Sequence, residues 1–367
     1  MKFERQDVEN KKDMKLVISG GGTGGHIYPA IAIADAVKAR IPSAQIRFVG
    51  AEGKMEMEKV PQAGYPIDGL PIVGINRQRL WSNISFPWKL VKSIWKARQI
   101  LRDFRPDVVV GVGGYASGPT LWVAGQLGIP IIIQEQNSFA GKTNQWLANK
   151  AKRICVAYPN MERFFPANRL LFTGNPVRAD ICHELPDSAK ARSFFNLDPE
   201  LPTVLIIGGS QGARSINLAI EAHLEAILST GYQVIWQTGK SFAPPAPRAG
   251  LFVSPFITQM TQAYAAADVV ISRAGALSVS ELCIVQKPAI LVPFPFAAED
   301  HQTENARSLV QADAAVLVHD ADAMARLWPT LHDLMEDAPR RSHLARQMKS
   351  FAKPQAAATI ADEIVRL

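Results

Sequence analysis

His26 stands where residue type and position point to chemistry. It closes the run Gly20-Gly21-Gly22-Thr23-Gly24-Gly25-His26, directly after the apolar stretch Leu16-Val17-Ile18-Ser19. An imidazole titrates near pH ~6.5, so it can take a proton from a hydroxyl at working pH. A helix starting here presents its positive end to the ring and favours the neutral form that a base requires. The plainer account is a capping or satisfied structural histidine. Two more glycine-rich runs follow apolar stretches and precede helical patterns: Gly113-Gly114-Tyr115-Ala116-Ser117-Gly118-Pro119 and Gly208-Gly209-Ser210-Gln211-Gly212-Ala213-Arg214. Unpaired N–H groups at a helix start can meet a phosphate, and glycines let it approach the backbone closely. Three such loops, spread over two halves, suggest two nucleotide-type folds facing each other across a cleft.

Other polar groups collect where apolar runs end. Gln134-Glu135-Gln136-Asn137 follows Ile131-Ile132-Ile133. Glu281 lies about five residues into a helix that starts after Gly275, where a carboxylate can accept from both hydroxyls of a ribose. Gln302 and Asn305 are three apart and share a helix face, an amide pair suited to sugar hydroxyls. Solvated helix residues and a polar helix start are the bland accounts. The literal G-x-G-x-x-G at Gly20, Gly22 and Gly25 is a weak dinucleotide signal. Its expected acidic partner has only Glu52 to offer, which sits late.

The elements that must position these residues read as alternating strands and helices. Strand candidates are 15–19, 45–49, 107–112, 130–134, 153–157 and 170–173, then 203–207, 233–237, 251–253, 268–271, 288–292 and 315–318. They are apolar throughout, as parallel strands buried on both faces are, and helical segments between them argue for βαβ units. The fold class is α/β. A polar, disordered tail is expected over 1–13, a first domain over 14–175 and a second over 176–351. A terminal helix is expected near 352–367. The hinge signals lie in Gly174-Asn175-Pro176.

At 367 residues, with 47% hydrophobic content, the chain has material for two cores. Three dispersed cysteines offer neither a disulfide framework nor metal-ligand spacing. A charged start excludes a signal peptide and no apolar run is long enough to span a bilayer, so a cytoplasmic protein is expected. The net charge of +7 suggests anionic partners. Much of it falls in one segment, where Ile75, Leu80, Trp81, Phe86 and Trp88 alternate with Arg77, Arg79, Lys89 and Lys92. Mixed aromatic and basic residues read as a patch that rests on anionic lipid. A nucleic-acid site or an ordinary basic face would look similar.

These runs, with Gly174-Asn175-Pro176-Val177-Arg178 and the Gly275–Glu281 stretch, occur in an order that resembles the family 28 glycosyltransferases that make lipid II in peptidoglycan synthesis. The resemblance extends from about Lys15 to the C-terminus. It implies a GT-B fold of two Rossmann-like domains around a deep cleft, with the terminal helix returning to the first. It implies inverting transfer of N-acetylglucosamine from UDP-GlcNAc to the C4 hydroxyl of MurNAc in lipid I. Ser210, Gln211 and the backbone at Ala276 would meet the diphosphate, and Glu281 the ribose. Arg178 and the Ile257 backbone would meet the uracil, and Gln302 and Asn305 the sugar. Thr23, Gly24, Gly25, Tyr115 and Ser117 would lie at the acceptor pyrophosphate, near Glu135 and Asn137. His26 is the expected base, with Glu135 as the alternative.

The resemblance also implies a peripheral place on the cytoplasmic face of the plasma membrane. Contacts with cell-wall synthesis and division proteins belong to the same expectation, and nucleic acid does not. No obligatory cofactor is expected and no metal site, with stimulation by a divalent cation left open. The family often has His before Glu-Gln-Asn; here it is Gln134, so no ionisable role passes to that position. Another GT-B enzyme of UDP-sugars, a glycolipid glycosyltransferase or a UDP-GlcNAc 2-epimerase, is the alternative function.

Overall fold

The computed structural model describes residues 13–74, 85–209, 211–297 and 300–367. The expected tail lies outside the described residues but for Asp13. So do Ser210 and the patch residues Ile75, Arg77, Arg79, Leu80 and Trp81.

The chain divides into two compact units, one of Met1–Arg178 with Pro354–Leu367, the other of Ala179–Lys353. Residues on either side of Pro176 explain where the division falls. Asn175 is hydrogen-bonded within the first unit, whereas Ile181 is buried in a core of the second.

The first unit holds β1 (Lys15–Ser19), α1 (Gly24–Arg40), β2 (Gln45–Ala51), α2 (Glu56–Gln62), β3 (Ile67–Leu70), α3 (Phe86–Phe104), β4 (Val108–Gly111), α4 (Ser117–Gln126), β5 (Ile131–Glu135), α5 (Lys142–Leu147), β6 (Arg153–Val156) and β7 (Leu170–Phe172). The strands pair in parallel in the order β3-β2-β1-β4-β5-β6-β7. Successive side chains of a strand point to opposite faces, and the cores follow that period. Leu16, Ile18, Val108, Val110 and Ile132 enter the core shared with α1. Val17, Val109, Ile131 and Ile133 enter the core on the other face, with α3 and α4.

The second unit holds α6 (Ser188–Phe194), β8 (Thr203–Ile207), α7 (Arg214–Ser229), β9 (Gln233–Gln237), β10 (Leu251–Ser254), α8 (Met260–Ala266), β11 (Val269–Ser272), α9 (Ala276–Val285), β12 (Ala289–Leu291), α10 (His301–Gln311), β13 (Val316–Leu317), α11 (Ala323–Glu336) and α12 (Ala338–Phe351). Its sheet is parallel in the order β10-β9-β8-β11-β12-β13, again with alternate residues in two cores. The last helix, α13 (Ala356–Arg366), belongs to the first unit. Ile360, Ala361, Ile364 and Val365 enter its α1-side core, and Asp362 pairs with Arg40.

One strand departs from the expectation. β3 reads Ile67-Asp68-Gly69-Leu70, too polar and glycine-bearing for the apolar pattern sought. It is an edge strand, so only one neighbour, β2, specifies it.

In both sheets the order reverses beside the first strand. β1 lies between β2 and β4, and β8 between β9 and β11. Open α/β sheets bind ligands just beyond the strand ends at such a point. The three glycine loops and the turn at 273–275 all leave these strands.

Candidate functional site

In the first unit the two glycine loops interlock. Gly113 and Gly114 have φ of 91° and 85°. A Cβ on Gly114 would lie 2.2 Å from the Gly21 carbonyl oxygen, and one on Gly113 2.8 Å from His26 Cε1. The close approach of two backbones is therefore what fixes glycine here. The Gly22 N–H donates to Glu56 Oε2 at 2.8 Å, and the Ala51 N–H to Glu56 Oε1 at 2.9 Å. This buried carboxylate ties the first loop to the end of β2. Thr23, Gly24 and Gly25 form the start of α1, with Thr23 at the N-cap.

His26 sits in the first turn of α1. Its Nδ1 lies 3.0 Å from Gln136 Oε1. Gln136 in turn donates from Nε2 to the Val112 carbonyl at 2.6 Å and to Gln134 Oε1. Gln134 donates to Asn175 Oδ1 at 3.1 Å, and Asn175 to the Gln136 carbonyl at 3.0 Å. Gln134, Gln136 and Asn175 are all buried.

Glu135 plays a different part. Its Oε2 accepts from the Gly141 N–H at 3.0 Å and from Asn144 Nδ2 at 2.8 Å. Oε1 accepts from the Asn137 N–H at 3.1 Å. Both oxygens of this buried carboxylate are committed to the loop that follows β5, which is poor preparation for receiving a proton from a substrate. Asn137 is brought to that loop. Tyr115 is half exposed and Ser117 fully buried, at the start of α4.

In the second unit the loop after β8 bends at Gly209 and Gly212 (φ 82° and 79°). It lies against Thr238 and Gly239, where a Cβ on Gly212 would come 2.1 Å from the Thr238 carbonyl oxygen. Gln237 joins two segments of the site. Its Nε2 donates to the Gly209 carbonyl at 2.9 Å, and its Oε1 accepts the Ile257 N–H at 2.9 Å. Any backbone contact from Ile257 to a nucleobase therefore falls to its carbonyl. Ala276 is the first residue of α9, with Gly275 at the N-cap. Glu281 accepts from the Tyr264 hydroxyl at 2.9 Å. Gln302 accepts the Phe294 N–H at 3.0 Å, and the buried Asn305 donates to the Ala274 carbonyl at 3.2 Å. Arg178 is the last residue of the first unit.

The helices that follow these loops share one property. α1, α4, α7 and α9 carry no acidic residue in the first turn and no side-chain cap. The positive end of such a helix favours nearby negative charge. α3, α5, α8, α11 and α13 share that property, whereas α6 and α12 are capped by Asp187 and Asp337. The late acidic residue Glu52 pairs with Lys96 at the surface. The lone Asp-x-Asp after β13 has Asp320 tied to Arg273.

The described part of the basic-aromatic segment is α3. Its inner face buries Ser93, Ala97, Ile100 and Leu101. Trp88 and Trp95 are 66% and 63% exposed, and Lys92 Nζ lies 5.6 Å from the centre of the Trp88 ring. Phe86 is half-buried against the core. Among the described residues no helix is long and apolar enough to cross a membrane.

Sequence reasoning missed Glu56, Gln136, Asn175, Gln237 and Tyr264 as organisers of the site. Gln136 lies in a strand-end polar run, a signal of sorts. Asn175 lies in the Gly174-Asn175-Pro176 run, singled out as a hinge and not as a site, whereas Glu56, Gln237 and Tyr264 gave no signal in the sequence.

Comparison with known proteins adds the following. The sequence model of the glycosyltransferase family 28 N-terminal domain matches residues 16–156, and that of its C-terminal domain residues 203–363. A Bacteroides fragilis protein is 53% identical over 98% of each chain, and one from Parabacteroides distasonis 51% identical over 96% of this chain and 98% of its own. Both are named UDP-N-acetylglucosamine--N-acetylmuramyl-(pentapeptide) pyrophosphoryl-undecaprenol N-acetylglucosamine transferase. The crystal structure of Acinetobacter baumannii MurG is similar with a TM-score of 0.74 and 28% identity, over 96% of this chain and 100% of that one.

Proposed function

The chain belongs to glycosyltransferase family 28, and from that premise we propose that it moves N-acetylglucosamine from UDP-GlcNAc to the C4 hydroxyl of MurNAc in lipid I, giving lipid II. The observation that carries this is identity of about half over nearly the full length with relatives named for that transfer. The site supplies the chemistry it needs.

The reaction is one displacement at the donor sugar's anomeric carbon. The proton of the acceptor O4–H passes to His26 Nε2, and the freed electron pair of O4 forms the new bond to C1. The bond from C1 to the UDP oxygen breaks, and its electrons leave with the diphosphate. Attack opposite the leaving group inverts α to β. His26 is the base rather than Glu135, whose oxygens already hold the loop after β5. Charge growing on UDP is met by backbone N–H groups at the starts of α7 and α9.

In this proposal Ser210 and Gln211 flank the diphosphate with Ala276. Glu281, steadied by Tyr264, holds the ribose diol. Arg178 and the Ile257 carbonyl meet the uracil, and Gln302 and Asn305 the sugar. The loops at 20–25 and 113–117 receive the acceptor pyrophosphate, and α3 rests on anionic lipid at the cytoplasmic face of the membrane.

The test is transfer of labelled N-acetylglucosamine to a short-chain lipid I analogue, with product linkage read by NMR. A β-1,4 disaccharide is expected. Tight UDP-GlcNAc binding without transfer would remove the assigned acceptor.

A further inference from the structure

Whether His26 can act as a base depends on which ring nitrogen carries its proton, and the tautomer is set by the hydrogen bond the other nitrogen makes. We propose that Gln136 is a positioning residue that holds His26 in the Nδ1–H tautomer, through a buried amide chain whose polarity is fixed at both ends by backbone carbonyls. This rests on the base role given to His26 above.

The polarity follows from what each amide faces. A backbone carbonyl only accepts. The Gln136 group 2.6 Å from the Val112 carbonyl must therefore be its NH2, which also reaches Gln134 Oε1. That turns Gln134's NH2 toward Asn175 Oδ1. It also leaves the Asn175 NH2 to meet the second carbonyl, that of Gln136 itself. Reversing all three amides would set oxygen against oxygen at Val112 and again at Gln136. All three side chains are buried, so water does not relieve such a clash, and an unpaired buried polar group is costly.

With this polarity the atom 3.0 Å from His26 Nδ1 is Gln136 Oε1, an acceptor. The ring must donate there, so the neutral imidazole carries its lone pair on Nε2. The same bond survives when Nε2 takes the acceptor's proton, because imidazolium still bears the Nδ1 hydrogen. The partner at Nδ1 is a neutral amide rather than a carboxylate.

The experiment uses full-length protein labelled with 15N-histidine, at a pH where the ring is neutral. The chain has seven histidines, so His26 is assigned by its loss in His26→Ala. Wild type is expected to show a protonated Nδ1 and an unprotonated Nε2. Gln136→Leu should move the ring toward the Nε2–H form and lower kcat about tenfold, the scale of one buried hydrogen bond, with KM for UDP-GlcNAc unchanged. Gln134→Leu removes one acceptor but leaves Val112, so the tautomer should stay.

An Nε2–H signature in wild type overturns the proposal, and this needs no variant to fold. An unchanged tautomer in Gln136→Leu also overturns it, as does a changed tautomer with unchanged kcat. Failure of the base role itself is separate: it shows as full kcat in His26→Ala, a result the NMR signature does not affect.

Discussion

The two units use the same sheet end differently. In the first, buried side chains answer one another: His26, Gln136, Gln134 and Asn175 form one chain of hydrogen bonds, and Glu56 and Glu135 each brace a loop. In the second, side chains mostly brace backbone. Gln237 holds Gly209 and Ile257, Asn217 holds the Thr238 carbonyl, and Asn305 holds that of Ala274. The first arrangement fixes one ring in one tautomer. The second presents backbone N–H and C=O groups in a set geometry, which suits diphosphate and nucleobase. Variants in the first unit should therefore change kcat, and variants in the second should change KM for the donor.

The largest way to break this contrast is steric. Gly114→Ala puts a Cβ 2.2 Å from the Gly21 carbonyl oxygen at a φ of 85°. Neither backbone can yield cheaply, so we expect loss of most activity and a clear fall in Tm. Next comes Glu281→Ala, which should raise KM for UDP-GlcNAc roughly 10–100-fold, the worth of one or two hydrogen bonds to a charged group. kcat should stay within a few-fold. A fall in kcat with unchanged KM would erase the division of labour.

Glu56→Ala leaves the Gly22 and Ala51 N–H groups without their acceptor. Each buried loss costs about 1–3 kcal/mol, so denaturant unfolding should show destabilisation of a few kcal/mol. At the membrane, Trp88→Glu should lower sedimentation with anionic vesicles several-fold. Equal binding of wild type to neutral vesicles would remove the electrostatic part.

The smallest effect comes from the thiols. Burial pushes Cys155 and Cys283 up to about 12 from an ordinary 9.0. Between those values the unfolded chain binds fewer protons than the folded one, so stability is complete below pH 9 and falls as pH rises above it. At pH 8 both thiols should resist iodoacetamide until the protein unfolds, read by mass spectrometry.

Much of the fold was legible, because strands buried on both faces carry their signal in composition alone. Strands 15–19, 203–207 and 233–237 coincide with the apolar runs. β3 was not legible: Asp68 and Gly69 belong to an edge strand specified by its one neighbour. The loops and His26 were visible because spacing reveals a strand–turn–helix. The amide chain was not, since Gln136 lies 110 residues from His26 and Gln134 lies 41 from Asn175. Spacing also carries no polarity, so nothing in Gln-Glu-Gln-Asn says which of its carboxyl and amide groups faces the ring. Only placement shows that Glu135 is taken up by its own loop.

The most direct test of this division is His26→Ala, with kcat from the transfer assay and donor affinity from calorimetry on the same preparation. The account predicts a fall in kcat of roughly 10²–10⁴-fold with Kd for UDP-GlcNAc unchanged. An unchanged kcat, or a donor affinity lost along with it, would contradict it.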